Sequence, residues 1–150
     1  MLQQTLKTLF SRDLAKLKKE IELYREESRI WITDKEIKNS GGNLCLHLVG
    51  NLNTYIGKHL GGTGYVRNRD LEFSQKDIPQ NELIKMIDET IQVVETTLDT
   101  MTGRQLEEDY PEMVFAEKVS TGFFLVHLLA HLSYHLGQIN YHRRLLDANA

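Results

Sequence analysis

Apolar residues recur at three- and four-residue spacing through most of this chain, the pattern of amphipathic helices. Leu2, Leu6, Leu9, Phe10, Leu14, Leu17, Ile21 and Tyr24 carry that period, with Lys and Glu between them, and predict one long helix from residue 2 to about 29. Trp31 and Ile32 leave the pattern. Thr33-Asp34 and Lys38 to Gly42 read as connector, in which Ser40 or Asn43 is available to cap the next helix. That second helix is expected from about Asn43 to Leu60 through Leu44, Leu46, Leu48, Val49, Leu52 and Ile56, stopping at Gly61-Gly62. The cleanest period runs from Pro79 to Met101, where Leu83, Ile87, Ile91, Val94, Leu98 and Met101 form a seam that requires a partner helix, and Gly103 is expected to stop it. Ser120 and Thr121 begin the last helix, which is expected to run to about Asp147.

The connections are less regular. Residues 61–79 are glycine-rich at their start but lack the Gly-Lys-Ser/Thr ending of a phosphate loop. Within them Arg67, Arg69 and Asp70 read either as a local salt-bridged turn or as an anion-recognition element beside the mouth of a bundle. Residues 104–119 hold Pro111 and the extended-looking Met113-Val114-Phe115-Ala116, which predict a crossover with a short strand pair. The carboxylates of Glu107, Glu108 and Asp109 are expected to be solvated rather than ligating. Four long helices with two long connections point to an all-α fold, a four-helix bundle with crossovers, formed as a single domain over 1–150.

Composition changes this picture little. Hydrophobic residues at 41%, charged residues at 26% and a net charge of −3 describe an ordinary globular domain. No dense basic patch speaks for nucleic acid, since Lys16-Leu17-Lys18-Lys19 sits among Glu20, Glu22, Glu26 and Glu27. No apolar run reaches the ~18–20 residues of a membrane span. The single cysteine, Cys45, allows no internal disulfide, and with no export signal evident a cytoplasmic protein is expected.

The candidate chemistry lies in the last helix, which carries four of the six histidines. At about 100° per residue, His127, His131, His135, Gln138 and His142 fall in one narrow stripe, with Leu125, Val126, Leu128, Leu129, Leu132 and Leu136 around it. Imidazoles in apolar surroundings are costly unless something binds them, and a divalent metal is one answer. Hydrogen-bonded core histidines are the other. The spacing of His131 and His135 suits two ligands on one ion, but a working site needs at least a third. His47 of the second helix is the candidate, with Asn51 and Tyr55 on its side of that helix. His59, at the fraying end, is expected to face solvent.

His47 within Leu-His-Leu-Val-Gly-Asn-Leu, and His131-Leu-Ser-Tyr-His135-Leu-Gly137-Gln138-Ile139 much later, resemble the DinB-like superfamily over essentially the whole chain. The resemblance implies a divalent metal (nickel, zinc or iron) on His47, His131 and His135. Where relatives carry a polar residue after the last histidine, this chain has Leu136. The resemblance also implies a small-molecule substrate, a homodimer, and metal-dependent chemistry of the thiol S-transferase kind, with a low-molecular-weight thiol as second cofactor. Arg67 or Arg69 is then the group to grip a carboxylate of that thiol, and His127 and His142 are packing residues or residues that orient a ligand imidazole. A metal-dependent hydrolase and a non-catalytic metal-binding stress-response module are the alternatives.

Overall fold

The structure, a computed structural model, describes residues 1–148 and is helical. Six α-helices succeed one another: α1 (Leu2–Leu23), α2 (Gly41–Leu52), α3 (Arg69–Ser74), α4 (Gln80–Thr100), α5 (Gly103–Glu107) and α6 (Thr121–Leu146). The four long ones form the bundle. Helices α4 and α6 each pack against both α1 and α2, which leaves α1 and α2 on opposite corners. The seams read from the sequence meet inside: Leu6, Phe10, Leu14, Leu17 and Ile21 of α1, Leu48 and Leu52 of α2, Leu83, Ile87, Val94 and Leu98 of α4, and Leu125, Leu128, Leu132 and Ile139 of α6 are all buried. At roughly 1.5–3 kcal/mol per fully buried side chain, this shared interior is the main force holding the helices together.

Helix α1 ends six residues earlier than its expected end near 29. Tyr24 turns extended (ψ 127°), and the backbone N–H groups of Arg25 and Glu26 donate to the Asp147 carboxylate at 2.5 and 3.2 Å. A carboxylate from the far end of the chain thus replaces the next helical turn, and Glu27–Trp31 form a short 3-10 turn instead. Of the two candidate caps for α2, Ser40 is the one used: its Oγ accepts from the Asn43 N–H at 3.1 Å. Beyond Leu52 the helix widens into a π-helical segment, Asn53–Lys58.

Both connections contain helices that periodicity does not predict. Asn68 caps α3 through its side chain, and Asp70 and Glu72 occupy the first turn, where carboxylates complement the helix dipole. Gly103 begins α5 rather than merely stopping α4, because Thr102 and Gln105 form a reciprocal capping box across it. The strand pair expected in 104–119 is absent. One antiparallel bridge, Asp109 with Ser120, is all that forms there. Met113 and Phe115 are exposed and Val114 half-buried, and without a second paired segment the extended run has no ladder to join. Glu107, Glu108 and Asp109 are exposed, as expected of solvated carboxylates.

Candidate metal centre

The packing of α2 on α6 brings three histidines from sequence-distant positions to one point. His47 Nε2 lies 3.1 Å from His131 Nε2, and His135 Nε2 lies 3.1 Å from the same atom. One nitrogen from each ring lies within 4.8 Å of the other two. Three nitrogens sharing a metal at 2.0–2.1 Å sit about 3.4 Å apart in a tetrahedral arrangement, so the cluster is already near ligand spacing. The rings meet edge to face, at 74° for His47 with His131 and 87° for His131 with His135, which directs ring edges rather than faces to the centre. Among the described residues no carboxylate or thiolate joins this group.

The protons of the cluster can be traced. His47 Nδ1–H donates to Glu72 Oε1 at 3.0 Å, and His135 Nδ1–H donates to Gln138 Oε1 at 2.7 Å. Both rings therefore present bare Nε2 lone pairs to His131 Nε2. A hydrogen there satisfies one of them, whereas a cation satisfies all three. His131 Nδ1 is buried and has no hydrogen-bond partner among the described residues. Burial, with His135 and His47 close by, pulls the His131 pKa down to about 4; burial also lowers that of His47, against the opposing pull of Glu72. Neutral imidazoles with converging lone pairs are the form in which histidine binds metal, so the residues present fit a divalent ion.

Glu72 carries no signal in the sequence pattern because its partner stands 25 residues away. It lies on α3, 5% exposed. Arg67 Nε and Nη2 donate to its two oxygens at 2.8 and 2.9 Å. Arg67 therefore pairs with Glu72, not with Asp70. Helix α3 is fastened to α2 by Asn43 Nδ2, which donates to the carbonyls of Glu72 (3.0 Å) and Gln75 (2.8 Å). Gly50 completes the seat: a Cβ there would collide with the Glu72 carboxylate.

Beside the triad opens a cleft of about 200 Å³ lined by His47, Asn51, Tyr55, Arg67, Arg69, Val114, Phe115, Phe124, His127, Leu128 and His131. Asn51 is buried, and its Oδ1 has no partner among the described residues. The Arg67 guanidinium lies 5.8 Å from the centre of the Tyr55 ring, and that of Arg69 5.5 Å from the centre of Phe73. His127 stacks on Phe124 and meets the edge of Phe115, so it forms a wall of the cleft. His142 belongs elsewhere. It is buried two turns beyond His135, 2.6 Å from the Tyr24 hydroxyl and 2.8 Å from the Ile32 carbonyl. His59 is half-buried between Tyr55, Tyr110 and Glu112, rather than facing solvent. Leu136 is half-buried against the core.

The same architecture occurs in a solved structure described as the conserved protein of a locus from Enterococcus faecalis. It superposes with a TM-score of 0.72 at 14% identity, over 95% of each chain, and shows the fold alone. No curated protein matches the sequence. Residues 2–150 do match the model of a family described as "Protein of unknown function (DUF1572)", and the chain belongs to that family.

Proposed function

We propose that this chain is a DinB-like, divalent-metal-dependent enzyme that binds its ion on His47, His131 and His135 and transfers a group between a small thiol and an electrophilic small molecule. The observation that carries the reading is the convergence of three neutral imidazoles beside an open cleft, with no fourth protein ligand among the described residues. A divalent ion on these three imidazoles would supply a Lewis acid able to lower the pKa of a thiol or a water.

The chain's own residues support the thiol coming from outside. Cys45 is fully buried in the bundle, and burial pushes its thiol up to about 12, which makes it a packing residue rather than a nucleophile. Because Arg67 is engaged by Glu72, the cation left to grip an anionic group of a cofactor is Arg69, exposed and without an ion-pair partner among the described residues. Asn51 offers a buried carbonyl oxygen to a ligand N–H or O–H. Phe115, Phe124 and His127 provide an aromatic wall for an apolar portion.

A homodimer is part of the same proposal. Phe123, Val126, Tyr134, Tyr141 and Leu145 are exposed along one face of α6, an apolar stripe suited to a second copy. Sedimentation at micromolar concentration tests it, a monomer being the contrary result. No helix among the described residues is long and apolar enough to cross a membrane. The functional test is elemental analysis of untagged protein, followed by thiol-conjugation assays on metal-loaded protein and by cobalt substitution. Thiol addition is expected to change the cobalt visible spectrum and add a sulfur-to-metal charge-transfer band. An unchanged spectrum at saturating thiol would defeat the transferase reading.

A further inference from the structure

We propose that Glu72, clamped by Arg67, is a positioning residue for the triad: it holds His47 as the Nδ1–H tautomer and aims the Nε2 lone pair at His131 and His135. This rests on the reading of the triad as a metal site. A neutral imidazole has two tautomers, and only the one protonated away from the centre can ligate. In water the two interconvert freely. Here the His47 Nδ1–H donates to Glu72 Oε1 at 3.0 Å between two buried side chains, the nearer of its two contacts, with Arg67 Nη2 at 3.4 Å.

The carboxylate is fixed more firmly than a tether between helices requires. An isolated buried carboxylate is costly, and Arg67 offsets that cost with two N–H bonds, at 2.8 and 2.9 Å, to separate oxygens. Asn43 binds two α3 carbonyls, Asn68 caps the start of α3, and Gly50 leaves out the one side chain that would displace the carboxylate. These devices converge on a single contact, the outward nitrogen of a candidate ligand. Gln138 does the corresponding task for His135 without a charge. His131 has no such partner among the described residues, so the order in the cluster comes from its two neighbours.

An ion pair that merely pins α3 to α2 is the competing role, and Glu20 with Arg143 provides its control. That pair, at 2.7 Å, ties α1 to α6 through similarly sheltered side chains and touches none of the three histidines. The experiment uses ¹⁵N-labelled metal-free protein, with histidine tautomers read from long-range ¹H–¹⁵N correlations, and zinc affinity read by competition with a chromophoric chelator. In the wild type His47 is expected as Nδ1–H. In Glu72→Ala it is expected to mix with the Nε2–H form, with zinc affinity down by roughly 10- to 100-fold. Glu20→Ala should lose stability yet leave tautomer and affinity unchanged. Should Glu72→Ala not fold, Glu72→Met keeps the volume and offers His47 and Arg67 no carboxylate oxygen, so the same shift is expected. His47 tautomer and zinc affinity unchanged in the Glu72 variants would overturn the assignment. A wild type that binds no zinc would instead overturn the metal reading, and is told apart by the absence of any affinity to compare.

Discussion

At the residue scale the centre depends on imidazoles that stay neutral. His131→Ala removes the nitrogen lying 3.1 Å from both of the others, and is expected to abolish stoichiometric metal in elemental analysis. His127→Ala, which alters only the aromatic wall, is expected to retain it; comparable loss from both would place the site on the wrong turn of α6. Burial also sets a pH dependence. Folded, His131 titrates at about 4, against 6.5 for an unperturbed histidine. Between those values the unfolded chain binds a proton that the native state refuses. Stability from this group is therefore fully present above about 6.5 and falls as the pH drops toward 4. His47 and His142, both lowered by burial, act in the same direction. Thermal melts of metal-free protein across that window are expected to show a shallower slope for His131→Leu than for wild type, and equal slopes would refute this account of His131.

At the scale of elements, two glycines on two helices separate a packed contact within the chain from a position that no described part of the same chain covers. Gly50 faces the Glu72 carboxylate, whereas a Cβ at Gly137 meets nothing within 4 Å among the described residues of the chain. Gly50→Ala overpacks the α2–α3 contact and is expected to destabilise by about 1–3 kcal/mol, with weaker zinc binding as the carboxylate is pushed off His47. Gly137→Ala in the middle of α6 is expected to stabilise by about 0.5–1 kcal/mol, through the lower backbone entropy of alanine in the unfolded chain. Urea denaturation checks both, and opposite signs are the expected result. The short helices obey a related logic. The six residues of α3 and five of α5 are too few to hold a helix alone, so caps and contacts made elsewhere decide them.

For the whole molecule, the triad joins α2 to α6, so an ion held there stabilises the native state and not the unfolded chain. Zinc at a hundred times its dissociation constant is expected to add about 2.7 kcal/mol, visible as a raised melting temperature that a chelator reverses. A melting temperature indifferent to zinc would exclude a tight site on these residues. Cys45, fully buried among the helices, reports the same equilibrium independently. Its alkylation should proceed only on global unfolding, and should slow when zinc is added.

The sequence by itself determined the bundle and the ligand candidates, because both rest on local regularity. The apolar period of α1, α2, α4 and α6 predicts the buried seam of each helix from its own residues. The four-residue step from His131 to His135 puts both rings on one side of α6 whatever packs against it. The rest was decided only by tertiary structure. The end of α1 at Leu23 depends on Asp147, more than a hundred residues away. The helix at Arg69–Ser74 and the missing strand pair in 104–119 depend on which neighbours the chain finds, since short segments gain too little from their own hydrogen bonds. The partner of Arg67 turned from Asp70 to Glu72 because a buried cation takes the carboxylate that burial brings to it. That same carboxylate reaches His47 only when α3 folds back over Gly50, a contact that no periodicity along the chain encodes.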